Sequence, residues 1–412
     1  MEAAGQLDSV KVGEGLDGRD GEASTAGKLG VLAGATPRFR SLGLYVHVPF
    51  CVKRCYFCSF TTAPHSARDL GRYLAAVHRE IDLVATASWA PGVTLETIFL
   101  GGGTPSLLEP DDLTALLARV RSRFPILPDA EVTVECTPET VSRGRIEAYR
   151  AAGVTRVSLG VEALDDAILR HLGRLHDAAA ARAAFDAARQ AGIPQLSVDL
   201  MYGLPDLDAD RWQATVRAVL GWRPDHLSAY GLTLDEGSLW GSSGVPGLPP
   251  EEAVVAQYWA LASLARSEGY EHYEISNYAL PGCRSRHNQL YWQHREYVAL
   301  GPGACGFLGD LRYGNARAVG RYIRQLEGDR LPVEQHEWLS ERQKTAERVI
   351  LGLRTGDGVP AAWLVACAGA DARLRTLVEE WRARQLLTLD ADRARLTEAG
   401  FILSDALFVE LL

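Results

Sequence analysis

LYVHVPFCVKRCYFCSF, residues 44–60, decides how the rest of the chain is read. Leu44, Val46 and Val48 alternate with Tyr45 and His47, the period of a β-strand. The segment is therefore predicted to be a strand that hands three cysteines into a loop at its C-terminal end. Those cysteines, Cys51, Cys55 and Cys58, are spaced C-x3-C-x2-C. A four-iron cluster has four corners, and three thiolate ligands leave one iron open to another group. Zinc is an alternative reading, with His47 and His65 nearby, although zinc generally takes a fourth Cys or His. A disulfide plus a free thiol is another, and it needs an oxidising compartment. Spacing and context favour the cluster.

Working outward, the chain of 412 residues is long enough for two or three units with a large core. Its 43 basic and 52 acidic residues give a formal charge of -9, which excludes a global attraction to nucleic acid or anionic lipid. No apolar run approaches the ~20 residues of a membrane span. Seven cysteines, three of them clustered, fit a reducing cytosol, so the expected location is cytoplasmic. The first residues, MEAAGQLDSVKVGEGLDGRD, carry acids where an export signal has a basic start and an apolar block. Residues 1–38 are rich in Gly, Ala and Asp and are expected to form a disordered tail.

From about residue 42 a strand-helix alternation repeats six times. After the cysteine loop, Leu70, Tyr73, Leu74, Val77, Ile81 and Val84 share one helical face. TLETIFL, AEVTVEC, TRVSLGVE, PQLSVDLMYGLP and PDHLSAYGL supply the remaining strands, with a helix expected from about Pro138 to Ala152. Alternating βα units argue for an α/β fold, a partial (β/α)6 TIM-type barrel over residues 39–280, with functional residues where strands end. Gly101, Gly102 and Gly103 at the second strand end would let a ligand lie against the backbone. Glu135, Glu162 and Asp199 end the next three strands and could accept from a ligand's ammonium and hydroxyl groups; otherwise each caps the helix that follows.

YVHVPFCVKRCYFCSF, GGGTPS, VTVECTP, RVSLGVE, LGRLH, VDLMYGLP, HLSAY and YEISNYA...HNQLYW together resemble the coproporphyrinogen dehydrogenase-like radical S-adenosylmethionine (SAM) family, and within it the HemW-type heme chaperones. The resemblance runs from about residue 42 to the C-terminus. It implies a [4Fe-4S] cluster on Cys51, Cys55 and Cys58, and SAM bound by Tyr45, Gly102, Gly103, Thr104 and Glu135. By the same motifs Glu162, Arg174, Asp199 and Thr233 fall where the related dehydrogenases contact SAM, with Glu162 standing where they typically have Gln. The decarboxylating enzymes carry a fourth cysteine two residues after the third, whereas this chain reads Cys58-Ser59-Phe60. That departure, and the lack of a counterpart to their N-terminal segment in residues 1–38, point away from porphyrinogen decarboxylation.

Residues 281–336 are expected to extend the barrel. Before them, Ala256, Trp259, Ala260, Ser263 and Leu264 mark the packing face of a helix, and YEHYEISNYAL reads as a strand. The polar-aromatic block with His287, Asn288, Tyr291, Trp292, His294 and Cys305 could hold a porphyrin, with His287 or Cys305 as axial ligand. HNQLYW fits the HNxxYW pattern of the HemW group, which usually reads GAHG where this chain reads GACG at Cys305. The other reading is that His287 pins its loop by hydrogen bonds and Cys305 is a small buried hydrophobe. Residues 337–412 read as helices followed by a hairpin around Asp390-Ala391-Asp392, a mainly helical, winged-helix-like domain whose mixed charges disfavour nucleic acid. The resemblance implies a heme carrier that serves apoproteins and draws on an electron donor; the alternative is an oxygen-independent coproporphyrinogen III dehydrogenase-like oxidoreductase.

Overall fold

The computed structural model describes residues 25–411. Six parallel strands follow one another in chain order: β1 (Ser41–Val48), β2 (Thr94–Gly102), β3 (Ile126–Cys136), β4 (Arg156–Glu162), β5 (Gln195–Tyr202) and β6 (His226–Gly231). Their inner stretches are buried on both faces, because helices such as Ala67–Val84 and Ala178–Gln190 cover the outside. β1 and β6 do not pair, so the barrel stays open. The expected partial barrel with a C-terminal helical domain is the fold observed.

Both edges carry more strands than the sequence suggested. The stretch read as one strand at 270–280 is a hairpin of β7 (Glu271–Glu274) and β8 (Asn277–Ala279), with β8 antiparallel to β6. Beside β1 lies a seventh parallel strand, β9 (Tyr297–Leu300), followed by antiparallel β10 (Cys305–Leu308), β11 (Leu311–Asn315) and β12 (Val333–Trp338). One sheet of twelve strands results, in the order β12-β11-β10-β9-β1-β2-β3-β4-β5-β6-β8-β7.

The helix Glu251–Ser267 corrects another expectation. Gln257, Tyr258, Leu261, Ala262 and Ala265 are buried, whereas Ala256 and Ser263 are exposed. Its apolar residues run nearly all round, so periodicity did not select a face; a polar anchor did. Gln257 accepts from Gly203 N at 2.8 Å and donates to Leu207 O at 2.7 Å. The helix expected at 138–152 is a 3-10 turn, Pro138–Thr140, and a separate helix, Arg143–Ala151.

The tail expected over 1–38 is partly ordered. Leu29, Leu32 and Ala35 are buried in the main core, and Trp89 Nε1 donates to Leu32 O at 3.0 Å. The buried Glu296 carboxylate receives the backbone N–H groups of Arg38 and Phe39. Burial of two leucines and a carboxylate that collects N–H groups explain why this low-complexity stretch is held. Residues 1–24 of that expectation lie outside the described residues.

The C-terminal unit has its own core around Val349, Leu353, Leu364, Leu377, Trp381 and Phe408. Its order is helix Glu341–Leu353, strand Val359–Pro360, helices Ala361–Ala370 and Ala372–Ala383, and a hairpin of Leu387–Leu389 with Arg393–Leu396, the arrangement of a winged helix. Its first helix starts with a capping box, Ser340 Oγ accepting from Gln343 N at 3.3 Å and Gln343 Oε1 accepting from Ser340 N at 2.9 Å. Ser340→Ala is expected to lower stability by about 1 kcal/mol; an unchanged urea midpoint would show that the cap contributes nothing. Arg312 on β11 joins Glu337 and Glu347, and His294 Nε2 meets Glu347 at 3.0 Å, tying this unit to the sheet. Among the described residues no helix is long and apolar enough to cross a membrane.

Candidate functional site

β1 ends at Val48, and the cysteine loop follows. Phe50–Cys51 pairs with Ala63–Pro64, which closes the loop at its base. Bonds that involve no sulfur hold its interior: Arg54 donates to Cys58 O at 3.1 Å and Gly237 O at 2.7 Å, Ser59 Oγ donates to Asp235 at 2.8 Å, and Tyr56 N donates to Leu172 O. Thr104 Oγ1 lies 3.6 Å from Cys51 Sγ and Arg174 Nη1 lies 3.5 Å from Cys55 Sγ. Burial pushes all three thiols up, Cys58 to about 11, so uptake of metal by these sulfurs must release protons. Among the described residues no three His, Cys, Asp or Glu side chains share a single-ion site. Thiolates on separate corners of a cluster have no need to converge on one ion.

The loop forms one wall of a cleft at the C-terminal ends of the strands. Its floor is the glycine run of β2. Gly102 has φ +116°, and a Cβ there would lie 2.6 Å from His47 Cε1; a Cβ on Gly103 would lie 2.7 Å from Phe50 O. Only glycine allows this approach. Gly102 N donates to Glu135 Oε2 at 3.0 Å.

The opposite wall carries the three carboxylates. Glu135 is in register with Ser158 and Asp199 with Gly160, two residues further along β4, so the carboxylates are stepped along neighbouring strands while lining the same cleft. Glu162 follows a register shift and has φ +66°, a left-handed backbone that costs a non-glycine residue on the order of 1 kcal/mol or more. Burial, reinforced by the charge of Asp199, raises Glu135 to about 8. Burial and Glu162 raise Asp199 to about 6, and burial raises Glu162 itself. None of the three is a helix N-cap; Thr137, Asp165 and Asp208 take those places, so the capping alternative is not what the fold uses. Crowded, buried carboxylates of this kind fit a cationic ligand with hydroxyl and ammonium donors.

Cys51, Cys55, Cys58, Gly102, Gly103, Thr104, Glu135, Glu162, Arg174 and Asp199 all line this cleft. Tyr45 and Thr233 do not. Tyr45 sits behind the glycine floor, its OH 3.0 Å from His47 Nδ1 and its ring stacked on Phe99, while Thr233 is exposed on the loop after β6. Ser158 and Gly160 were not singled out from the sequence, although the two-residue period of SLGVE places them on the inner face with Glu162. Ser158 Oγ donates to Asp199 at 3.0 Å. Glu139 and the exposed Leu175 also line the cleft; Leu175 falls within LGRLH, whereas no sequence signal marked Glu139.

The expected heme ligands lie elsewhere. His287 is buried, its Nδ1 2.7 Å from Thr97 Oγ1 and its Nε2 2.8 Å from Tyr291 OH, and its backbone N donates to Glu131 at 3.0 Å. Burial drives its pKa down to about 3. Thr97 precedes Gly102 by five residues, or about 17 Å along β2. In this structure both ring nitrogens of His287 are engaged with hydroxyls, and the side chain pins its helix, Arg286–Trp292, against the barrel, the other role the sequence left open. Cys305, half-buried on β10 with its sulfur facing Gly314, does not join the cleft either.

Comparison with known proteins agrees with this fold. The radical SAM superfamily model matches residues 45–219, and the HemN C-terminal domain model matches residues 339–403. Among solved structures, the coproporphyrinogen III oxidase HemN of Escherichia coli, a radical SAM enzyme, superposes with a TM-score of 0.81 over 92% of each chain at 22% identity, a likeness of fold. Fold and site together define a radical SAM protein with a HemN-type C-terminal domain. The heme chaperone HemW of Mycobacterium tuberculosis is 36% identical over 378 residues, covering 90% of this chain and 94% of that one. HemW of Escherichia coli is 33% identical over 377 residues, covering 89% and 97%. The chain belongs to the HemW family of radical SAM proteins.

Proposed function

We propose that this protein is a heme chaperone, which binds heme and passes it to acceptor apoproteins in the cytoplasm, with a [4Fe-4S] cluster on Cys51, Cys55 and Cys58 and SAM in the cleft. The observation that carries the reading is the likeness to HemW chaperones over nine-tenths of the chain. Phe60 supports it, standing at the cleft mouth where the decarboxylating relatives have a fourth cysteine. When bound, the cluster supplies the electron that cleaves the sulfonium of SAM.

The chain's own groups would do the positioning. The glycine floor lets the nucleoside lie against the backbone. Glu135, Glu162 and Asp199 accept from its ammonium and ribose groups, and Phe60 and Leu175 shield the mouth. Glu135 must be ionised to hold a cation, and below about 8 the buried carboxyl keeps a proton that the ligand displaces. SAM affinity is therefore expected to rise with pH by up to about tenfold per unit and to level off above about pH 8. Calorimetry on the reconstituted protein checks this, and an affinity independent of pH over that range counts against the role of Glu135.

The function itself is tested with heme. The anaerobically reconstituted protein is expected to develop a Soret band on heme addition and to lose it to apomyoglobin, with no carbon dioxide released from coproporphyrinogen III. Because His287 is already engaged, His287→Ala is expected to alter stability more than the position of the Soret band. Porphyrinogen turnover with release of 5'-deoxyadenosine would replace the chaperone with the oxidoreductase.

A further inference from the structure

Arg174 reaches the cysteine loop from the far side of the cleft. Helix Asp166–Leu172 ends at Gly173, whose φ of +82° makes a left-handed cap, and Arg174 N donates back to Leu169 O at 2.9 Å. That turn aims the side chain inward, where only 8% of it is exposed. Nη2 donates to Gly160 O at 2.6 Å, which anchors the guanidinium on β4, and Nη1 lies 3.5 Å from Cys55 Sγ and 3.7 Å from Glu162 Oε1. Nε is buried without a hydrogen-bond partner. The loop's own cations differ: Lys53 and Arg54 are exposed and screened by water. Cys51 receives only a neutral hydroxyl, from Thr104.

A fixed positive charge in a poorly solvated site favours whichever neighbouring state carries the extra electron, and a donor to a ligand sulfur acts in the same direction. Glu162, bound to the same guanidinium, opposes it. We infer that Arg174 is a positioning residue that sets the reduction potential of the cluster through Cys55, with Glu162 as its counterweight. The inference rests on the reading that Cys51, Cys55 and Cys58 hold a cluster.

The test is an anaerobic redox titration followed by electron paramagnetic resonance, on the full chain without SAM, of wild type, Arg174→Gln, Arg174→Lys and Glu162→Gln. Iron and sulfide content are measured alongside. Arg174→Gln is expected to move the midpoint to more negative potential. Arg174→Lys, which keeps the charge and loses the planar fork, is expected to fall between it and wild type. Glu162→Gln is expected to move it to more positive potential. Should Arg174→Gln fail to hold iron, the opposed shifts of Arg174→Lys and Glu162→Gln still decide. Equal midpoints in all loaded proteins, or shifts of one sign at both positions, would overturn the inference and leave the cluster assignment standing. A wild type that holds no cluster would overturn both.

Discussion

Protein carrying serine at Cys51, Cys55 and Cys58 is expected to contain no iron or sulfide after anaerobic reconstitution and to give no spectral response to SAM. A hydroxyl is not a substitute for a soft thiolate toward iron, and the loop offers no other sulfur. Cys136 lines the same cleft but is buried at the end of β3, outside the loop, and Cys283, Cys305 and Cys367 do not line the cleft. The fold should survive the change. The loop is held by the bonds of Arg54, Ser59 and Tyr56, by pairing at its base, and by Trp240 N donating to Tyr56 O, none of which uses a sulfur. Circular dichroism and the urea midpoint should therefore stay near those of the metal-free wild type. Retained iron in the triple variant, or zinc in the anaerobically purified wild type, would remove the ground for both the chaperone and the enzyme readings.

Gly103→Ala is expected to weaken SAM binding by about a hundredfold, even though it adds a single methyl group. The added Cβ would lie 2.7 Å from Phe50 O, 2.8 Å from Pro49 C and 2.9 Å from Pro49 O. These are backbone atoms of the segment that leads into Cys51, so no rotamer change relieves the overlap. Gly103 N also donates to Val48 O at 2.8 Å, which ties the two segments together. The cysteine loop or the glycine floor has to move, and a shift on the order of 1 Å at such a site costs about a hundredfold. Gly144→Ala is the control: nothing lies within 4 Å of its added Cβ, and it sits in the helix Arg143–Ala151. There alanine should stabilise by about 0.5–1 kcal/mol. Equal SAM affinity in Gly103→Ala and wild type would mean that the glycine floor does not touch the nucleoside.

Much of this layout is legible along the chain because it depends on local period and spacing. The strand-helix alternation, the cysteine loop at the end of β1 and the glycines at the end of β2 follow from residues near one another. Expectations failed where several local solutions were equally good. The helix Glu251–Ser267 is apolar nearly all round, so its buried face awaited the partners of Gln257. Residues 271–279 have the composition of one strand and fold as two, because β6 offers an edge to which only β8 pairs directly.

By itself, the order of residues determined a parallel sheet, the mouth at which its chemistry gathers, and the identity of the sulfur and carboxylate groups there, since each needs only the alternation of side chains along a strand. Tertiary structure alone decided who meets whom and in what charge state. Arg174 reaches Cys55 across 119 positions of chain, and His287 gives its nitrogens to Thr97, 190 positions away, and to Tyr291. Glu135 is held near 8 because neighbouring strands bury it beside Asp199. Long-range pairing and the loss of water set those outcomes, and neither is written in local sequence.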